Sequence, residues 1–128
     1  MKDSWPQIIK DVGFDFSWDE PKVWKLDVPE EEMDISNLEW HFDVPFLWEG
    51  EGEYNLKPID VMAHPEEHIL EYQRTMAAET DFPIDIMENK GRWLILDGLH
   101  RLMKSKIQNK DKVKVRKIDR KYIPDILK

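Results

Sequence analysis

The sequence predicts a single domain of the α+β class. Its 128 residues are enough to bury one core without disulfides or a structural metal. The composition, 41% apolar and 36% charged, is that of a folded globular chain. Helical spacing and the alternation typical of strands both occur along the chain. We divide it into an extension with the opening strands over residues 1–56, part of the same domain, and a core over 57–128.

The extension begins with a predicted helix. Ser4 and Gln7 match a capping box, with Pro6 in the first turn. The helix is expected to continue to Val12 and to end at Gly13, which can take the left-handed conformation that stops helices. Three alternating segments then predict extended chain. They are Phe14 to Trp18, residues 21–29, and Leu38 to Val44.

The core has a clearer pattern. A helix is predicted from Pro65 to about Glu79, with an apolar stripe formed by Ile69, Tyr72, Met76, Leu70, Gln73 and Ala77. "FPIDIM" and "RWLILD" predict two strands joined by the turn "NKG". A helix with apolar residues from Leu99 to Ile107, the strand "KVKVRKI" and the short packing element "YIPDIL" complete the chain.

The change from strand to helix at residues 97–101 predicts an anion site. Backbone N–H groups at a helix N-terminus bind anions, and Gly98 allows a close approach to the backbone. His100 and Arg101 lie in the first helical turn, where cations are unfavourable unless an anion lies between them and the helix dipole. Arginine suits phosphate oxygens, and histidine can donate a hydrogen bond or move a proton. Asp97 could hold a cation or orient a hydroxyl.

This corner resembles the ParB/sulfiredoxin superfamily. The resemblance rests on "ILDGLHRLMKS" followed by "VKVRKI", and it covers about Lys57 to Asp119. Within the first 56 residues, only "VWKLDVPEEEM" is similar, to the opening strand of that family. The resemblance implies a small mixed sheet packed with helices, with an aromatic-rich N-terminal extension.

The resemblance also implies a function, binding of ATP, ADP or CTP with Mg²⁺. The corner is most similar to that of a free-serine kinase, so an ATP- or ADP-dependent phosphotransferase or an NTPase is one expectation. Gly98, Leu99, His100 and Arg101 would then bind the nucleotide phosphates. Asp60, Asp97 and His100 are the candidate catalytic residues, with Asp60 as the base for a small-molecule or protein acceptor. The chain has no cysteine, and Leu99 occupies the position of the sulfiredoxin cysteine, so that reaction is excluded.

A second class stays open, a non-catalytic DNA-associated or regulatory module. Residues 104–128 carry ten Lys or Arg and three Asp or Glu, whereas residues 1–103 have a net charge of −15. The basic segment could contact nucleic acid, but the overall charge of −8 disfavours it. A nuclease is not favoured, because the sequence lacks the clustered carboxylates that would hold two metal ions. "HPEEH" resembles a zinc-protease pattern, but Pro65 makes His64 a cap residue. We therefore assign no metal ligands.

The sequence predicts a cytoplasmic protein. The longest apolar run is Trp93–Leu96, and the first eleven residues lack the apolar stretch of a secretion signal. We expect no membrane partner.

Overall fold

A computed structural model describes residues 5–128 of the chain. The α-helices are α1 (Gln7–Val12), α2 (Glu20–Trp24), α3 (Pro58–Ala63), α4 (Ile69–Ala77), α5 (Leu99–Ile107) and α6 (Ile123–Ile126). The strands are β1 (Glu31–Asp34), β2 (Ile84–Asn89), β3 (Arg92–Asp97) and β4 (Lys112–Lys117). Short 3₁₀ turns cover Ile35–Asn37, Glu39–Asp43, Pro65–Glu67 and Arg120–Tyr122.

The four strands form one mixed sheet in the order β1-β4-β2-β3. Strands β2 and β3 are an antiparallel hairpin, turned at Lys90 and Gly91, both of which have positive φ. Strand β4 lies parallel to β2 and antiparallel to β1. The predicted α+β class, with a small mixed sheet and packed helices in one small domain, is confirmed.

Two apolar clusters stabilise the sheet. The larger contains Ile84 and Ile86 of β2, Leu102 and Met103 of α5, and Val115 of β4, so α5 is fixed across the sheet. The second contains Val23, Met87, Leu96, Ile118 and Ile126, and the aromatic side chains of residues 14–18 pack against it. The end of β3 and the start of α5 therefore lie on a well-packed base.

A buried arginine of the sheet connects the extension to the sheet. Arg116 of β4 is 8% exposed, and its Nε donates to Oδ1 of Asp85 in β2 at 2.7 Å. Its Nη1 and Nη2 donate to the carbonyl oxygens of Leu26 and Val23 at 2.7 and 2.9 Å. Burial raises the pKa of Asp85, and the bond from Arg116 opposes this. One guanidinium thus holds α2 against the sheet.

The structure corrects two predictions of extended chain. Residues 20–24 form α2, because Asp19 accepts a hydrogen bond from the amide of Lys22 and Pro21 lies in the first turn. Leu38 to Val44 is not a strand, since a 3₁₀ turn covers Glu39–Asp43 and buries both Leu38 and Phe42.

The predicted helix ends also differ from the observed ones. Gly13 ends α1 with φ −69°, outside the left-handed region, and its amide donates to the carbonyl of Ile9. Ser4 of the predicted capping box lies outside the described residues, and Gln7 donates instead to Asp11. The helix predicted from Pro65 begins only at Ile69, after a 3₁₀ turn.

The predicted apolar stripe of α4 has the wrong phase. Ile69 and Leu70 are 56% and 76% exposed, whereas Glu71 and Thr75 are buried. The face of α4 that packs on α5 therefore carries a carboxylate. Within residues 5–128, no helix is long and apolar enough to cross a bilayer.

Candidate functional site

The chain turns from β3 into α5 at Gly98. Its φ of +115° is a conformation that side chains with a Cβ rarely adopt. A Cβ at this position would lie 3.1 Å from Nη1 of Arg101 and 3.2 Å from Cα of Ile84. Glycine is therefore required both by the backbone angle and by the packing of the hairpin against α5.

The first turn of α5 leaves backbone donors without partners. No side chain caps the helix, and its first backbone bond runs from the amide of Leu102 to the carbonyl of Gly98. Among the described residues, none accepts a hydrogen bond from the amides of Leu99, His100 or Arg101. These three donors carry the positive end of the helix dipole.

This corner opens into a cleft of about 1090 Å³. All five predicted corner residues, Asp97 to Arg101, line it, together with part of β3 and residues of the extension. Lys10 of α1 adds a further cation to the lining. The structure therefore brings the predicted residues together at one end of a cavity.

Arg101 is held in place but keeps free donors. Its Nη1 donates to the carbonyl of Pro83 at 3.0 Å and lies 3.5 Å from Oδ2 of Asp97. Its guanidinium also lies 5.8 Å from the ring centroid of Phe82. In the described part of the chain, neither Nε nor Nη2 has a hydrogen-bond partner. This guanidinium is oriented in advance, and two of its nitrogens can still donate to an anion.

Asp97 is surrounded by residues of the extension. Nε1 of Trp24 donates to its Oδ2 at 2.8 Å. The Glu20 carboxyl shares a hydrogen bond with Asp97, and this bond, together with burial, raises the pKa of Glu20 to about 7. Sequence reasoning missed Glu20, since it lies 77 positions before Asp97 in an exposed acidic segment.

His100 contacts a buried carboxylate of α4. Its Nε2 lies 2.9 Å from Oε2 of Glu71, which is only 6% exposed. Oε1 of Glu71 accepts from Arg74 at 3.2 Å, and the hydroxyl of Thr75 donates to the carbonyl of Glu71 at 2.8 Å. Nδ1 of His100 has no partner among residues 5–128. Glu71 was not predicted from the sequence.

The cleft has an aromatic wall. Besides Phe82, which lies beside Arg101, its rings are those of Trp5, Phe14, Phe16, Trp18, Phe46 and Tyr54. Trp18 is fixed by a bond from Nε1 to the carbonyl of Leu96 at 2.9 Å. Such half-buried rings offer flat apolar surfaces for the planar part of a ligand.

His41 lies in the same cleft but is fixed by its partners. Its Nε2 accepts from the amide of Ile95 at 3.1 Å, so Nδ1 carries the proton and donates to the carbonyl of Leu38 at 2.7 Å. The ring is 1% exposed, and this burial lowers its pKa to about 4. The neutral ring closes the edge of β3 and is not available for proton transfer near pH 7.

Asp60 is not brought to the corner. It is an exposed residue in the first turn of α3 and does not line the cleft. The carboxylates that do line it are Asp97 and Glu79. His64 and His68 lie at the ends of short helical segments and contact Glu66 and Glu49, respectively. No group of three or more His, Asp or Glu suited to a metal ion occurs within residues 5–128.

Part of the basic segment is paired with the acidic half of the chain. Lys106, Lys112 and Lys117 form ion pairs with Glu39, Asp34 and Glu31. Lys104 and Arg120 donate to the carbonyl oxygens of Ala78 and Glu88. The three ion pairs neutralise carboxylates of the protein itself, which leaves a weaker basic surface than the sequence suggests.

A scan against models of known families, a search of curated proteins and a search of solved structures each found no match. The geometry of the site is therefore the basis for a function.

Proposed function

We propose that the protein binds a nucleoside phosphate in this cleft, with the phosphates at the first turn of α5. The observation that carries the proposal is the opening of three unpaired amides and the Arg101 guanidinium into one cavity. An anion there would interact with the helix dipole and two spare guanidinium nitrogens. It would also remove the unfavourable placement of two basic side chains in the first turn.

The aromatic wall favours a nucleotide over a small phosphate. A cleft of about 1090 Å³ is larger than a lone phosphate needs, and seven aromatic side chains line it. Stacking of a base on aromatic side chains contributes about 1–3 kcal/mol and tolerates any base. ATP, ADP and CTP are thus all suitable probes.

Magnesium fits this arrangement as part of the ligand. Mg²⁺ in nucleotide sites keeps several waters and takes one or two protein carboxylates besides the phosphate oxygens. Asp97 is the carboxylate at the corner that would supply this contact. When bound, the ion neutralises phosphate charge.

Phosphoryl transfer or NTP hydrolysis is the enzymatic form of this proposal. The corner would neutralise the transferring group, and a carboxylate would orient the acceptor hydroxyl. Because Asp60 is remote from the cleft, Asp97 and Glu79 are better placed for that role. Release of ADP from ATP, with and without Asp97→Asn, tests this step.

Isothermal titration of ATP, ADP and CTP with Mg²⁺ tests the binding proposal. We expect binding by the wild type and a loss of about 1.5–3 kcal/mol for Arg101→Ala. Arg92→Ala is the matched control, since Arg92 lies at the other end of β3, over the ring of Trp40. An absence of binding at millimolar nucleotide, or equal losses in both variants, would refute the proposal.

A further inference from the structure

The pairing of His100 with Glu71 gives the corner a further donor. Glu71 is an almost fully buried carboxylate, and a buried charge is stable only when it is paired and hydrogen-bonded. Its closest cationic or polar partner is the His100 ring at 2.9 Å; Arg74, the other partner, is largely exposed. The carboxylate therefore fixes the ring position and favours a proton on Nε2.

His100 has a second nitrogen available to the ligand. The residue lines the cleft, its side chain is 34% exposed, and Nδ1 has no partner in the part of the chain that the structure describes. An anion at the first turn of α5 would add a second acceptor beside the ring. With acceptors on both sides, the imidazolium form can donate two hydrogen bonds.

We propose, resting on the proposed function, that Glu71 positions His100 as a doubly protonated donor to the bound phosphate. Nε2–H donates to Glu71 and Nδ1–H donates to a phosphate oxygen. Glu71 is thus a positioning residue, because it acts on the ligand only through His100.

The other charged groups around His100 are paired or lie apart from it. On its own helix and at the end of β3, Arg101 lies beside Asp97, and Lys104 donates to the carbonyl of Ala78. On the elements that pack against α5, the charged groups besides Glu71 are Arg74 of α4, Asp60 of α3, and Asp85 and Glu88 of β2, of which Asp85 is paired with Arg116. Glu79 lines the cleft. Among the residues that the structure describes, only Glu71 has a hydrogen bond or ion pair with the ring.

ADP affinity at pH 6 and pH 8 tests this assignment. The affinity of the wild type is compared with that of His100→Gln at each pH, because this ratio cancels the effect of protonation of ADP itself. The wild type is expected to bind about tenfold more tightly than His100→Gln at pH 6, and within about threefold at pH 8. Glu71→Gln is expected to lose most of this pH-6 advantage. Glu67→Gln, an exposed residue four positions earlier, removes the same charge and is expected to match the wild type within about twofold.

The outcomes separate the two proposals. Glu71→Gln affinity equal to wild type at both pH values overturns the role of Glu71 and leaves nucleotide binding intact. No ADP binding by the wild type overturns both. If Glu71→Gln does not fold, the ring ¹⁵N signals of wild-type His100 decide. Two protonated nitrogens at saturating ADP and pH 7 support the proposal, because an ordinary histidine is mostly neutral at that pH, and one protonated nitrogen overturns it.

Discussion

The indole N–H of Trp24 donates to Oδ2 of Asp97 at 2.8 Å and so joins the extension to the corner. Trp24 belongs to α2, which Arg116 holds through the carbonyls of Val23 and Leu26. Residues of the extension therefore shape the site as well as packing against the sheet. A change in α2 is expected to reach Asp97 directly.

Glu20→Gln is expected to stabilise the fold increasingly as pH rises. The folded-state pKa of Glu20 is about 7, above its ordinary value of 4.5, because of its hydrogen bond to Asp97. The stabilisation from its extra proton is complete below about pH 4.5 and is lost as pH rises through 7. Glutamine keeps a donor to Asp97 without this loss. Urea unfolding at pH 5 and pH 8 measures the effect, with the exposed Glu30→Gln as control; a gain that does not grow with pH would contradict it.

His41 is expected to make the fold sensitive to acid. Burial lowers its pKa from 6.5 to about 4, so the unfolded chain binds the proton first as pH falls. Its contribution is complete above about pH 6.5, and about 3 kcal/mol is lost by pH 4. Glu20 acts in the opposite direction between pH 4.5 and 7, so the loss is best measured by urea unfolding in the Glu20→Gln background. A flat profile between pH 6.5 and 4 in that variant would refute this account of His41.

Most of the core is well predicted from local patterns, whereas helix α4 and the extension are not. Strands β2 and β3, helix α5 and strand β4 have apolar periodicities that match their burial. Polar and apolar residues also alternate around residues 20–24 and 39–43. Both segments nevertheless form helical turns, because Asp19 caps the first and Leu38 and Phe42 are buried at the second. Alternation over five residues does not separate these states, because tertiary contacts outweigh weak propensity.

The candidate site is predicted only where its residues are contiguous. Asp97 to Arg101 could be found because a glycine and two basic residues occur together at a strand-to-helix boundary. Glu20 and Glu71 reach the corner from distant segments, and an acidic residue in sequence is typical of a solvated surface. The burial of Glu71 depends on the packing of α4 against α5, which no local pattern indicates.

Arg116→Met is expected to destabilise the fold by about 3–5 kcal/mol, because it leaves the buried Asp85 carboxylate without its partner. Lys117→Met is the control. It removes a neighbouring but partly exposed pair with Glu31 and is expected to cost less than about 1 kcal/mol. Denaturant unfolding of both variants measures the difference. Equal losses of unfolding free energy in the two variants would contradict the prediction for the buried pair.

Gly98→Ala is expected to cost about 3 kcal/mol of stability and to weaken ADP binding. The added Cβ meets Arg101 and the backbone of Ile84 at a positive φ. Gly91→Ala also has a positive φ but meets nothing within 4 Å, so about 1 kcal/mol and unchanged ADP affinity are expected. Thermal unfolding and ADP titration compare them. If Gly98→Ala binds ADP with wild-type affinity, the phosphate does not need to approach the backbone closely at this position.

We expect the amides after Gly98 to bind phosphate. A titration of ¹⁵N-labelled protein with ADP and with adenosine, both with Mg²⁺, tests it most directly. We predict that ADP causes the largest amide shifts at Leu99, His100 and Arg101, and that adenosine does not shift these three. Saturable ADP binding with its largest shifts in residues 112–128, and none at the start of α5, would contradict the claim.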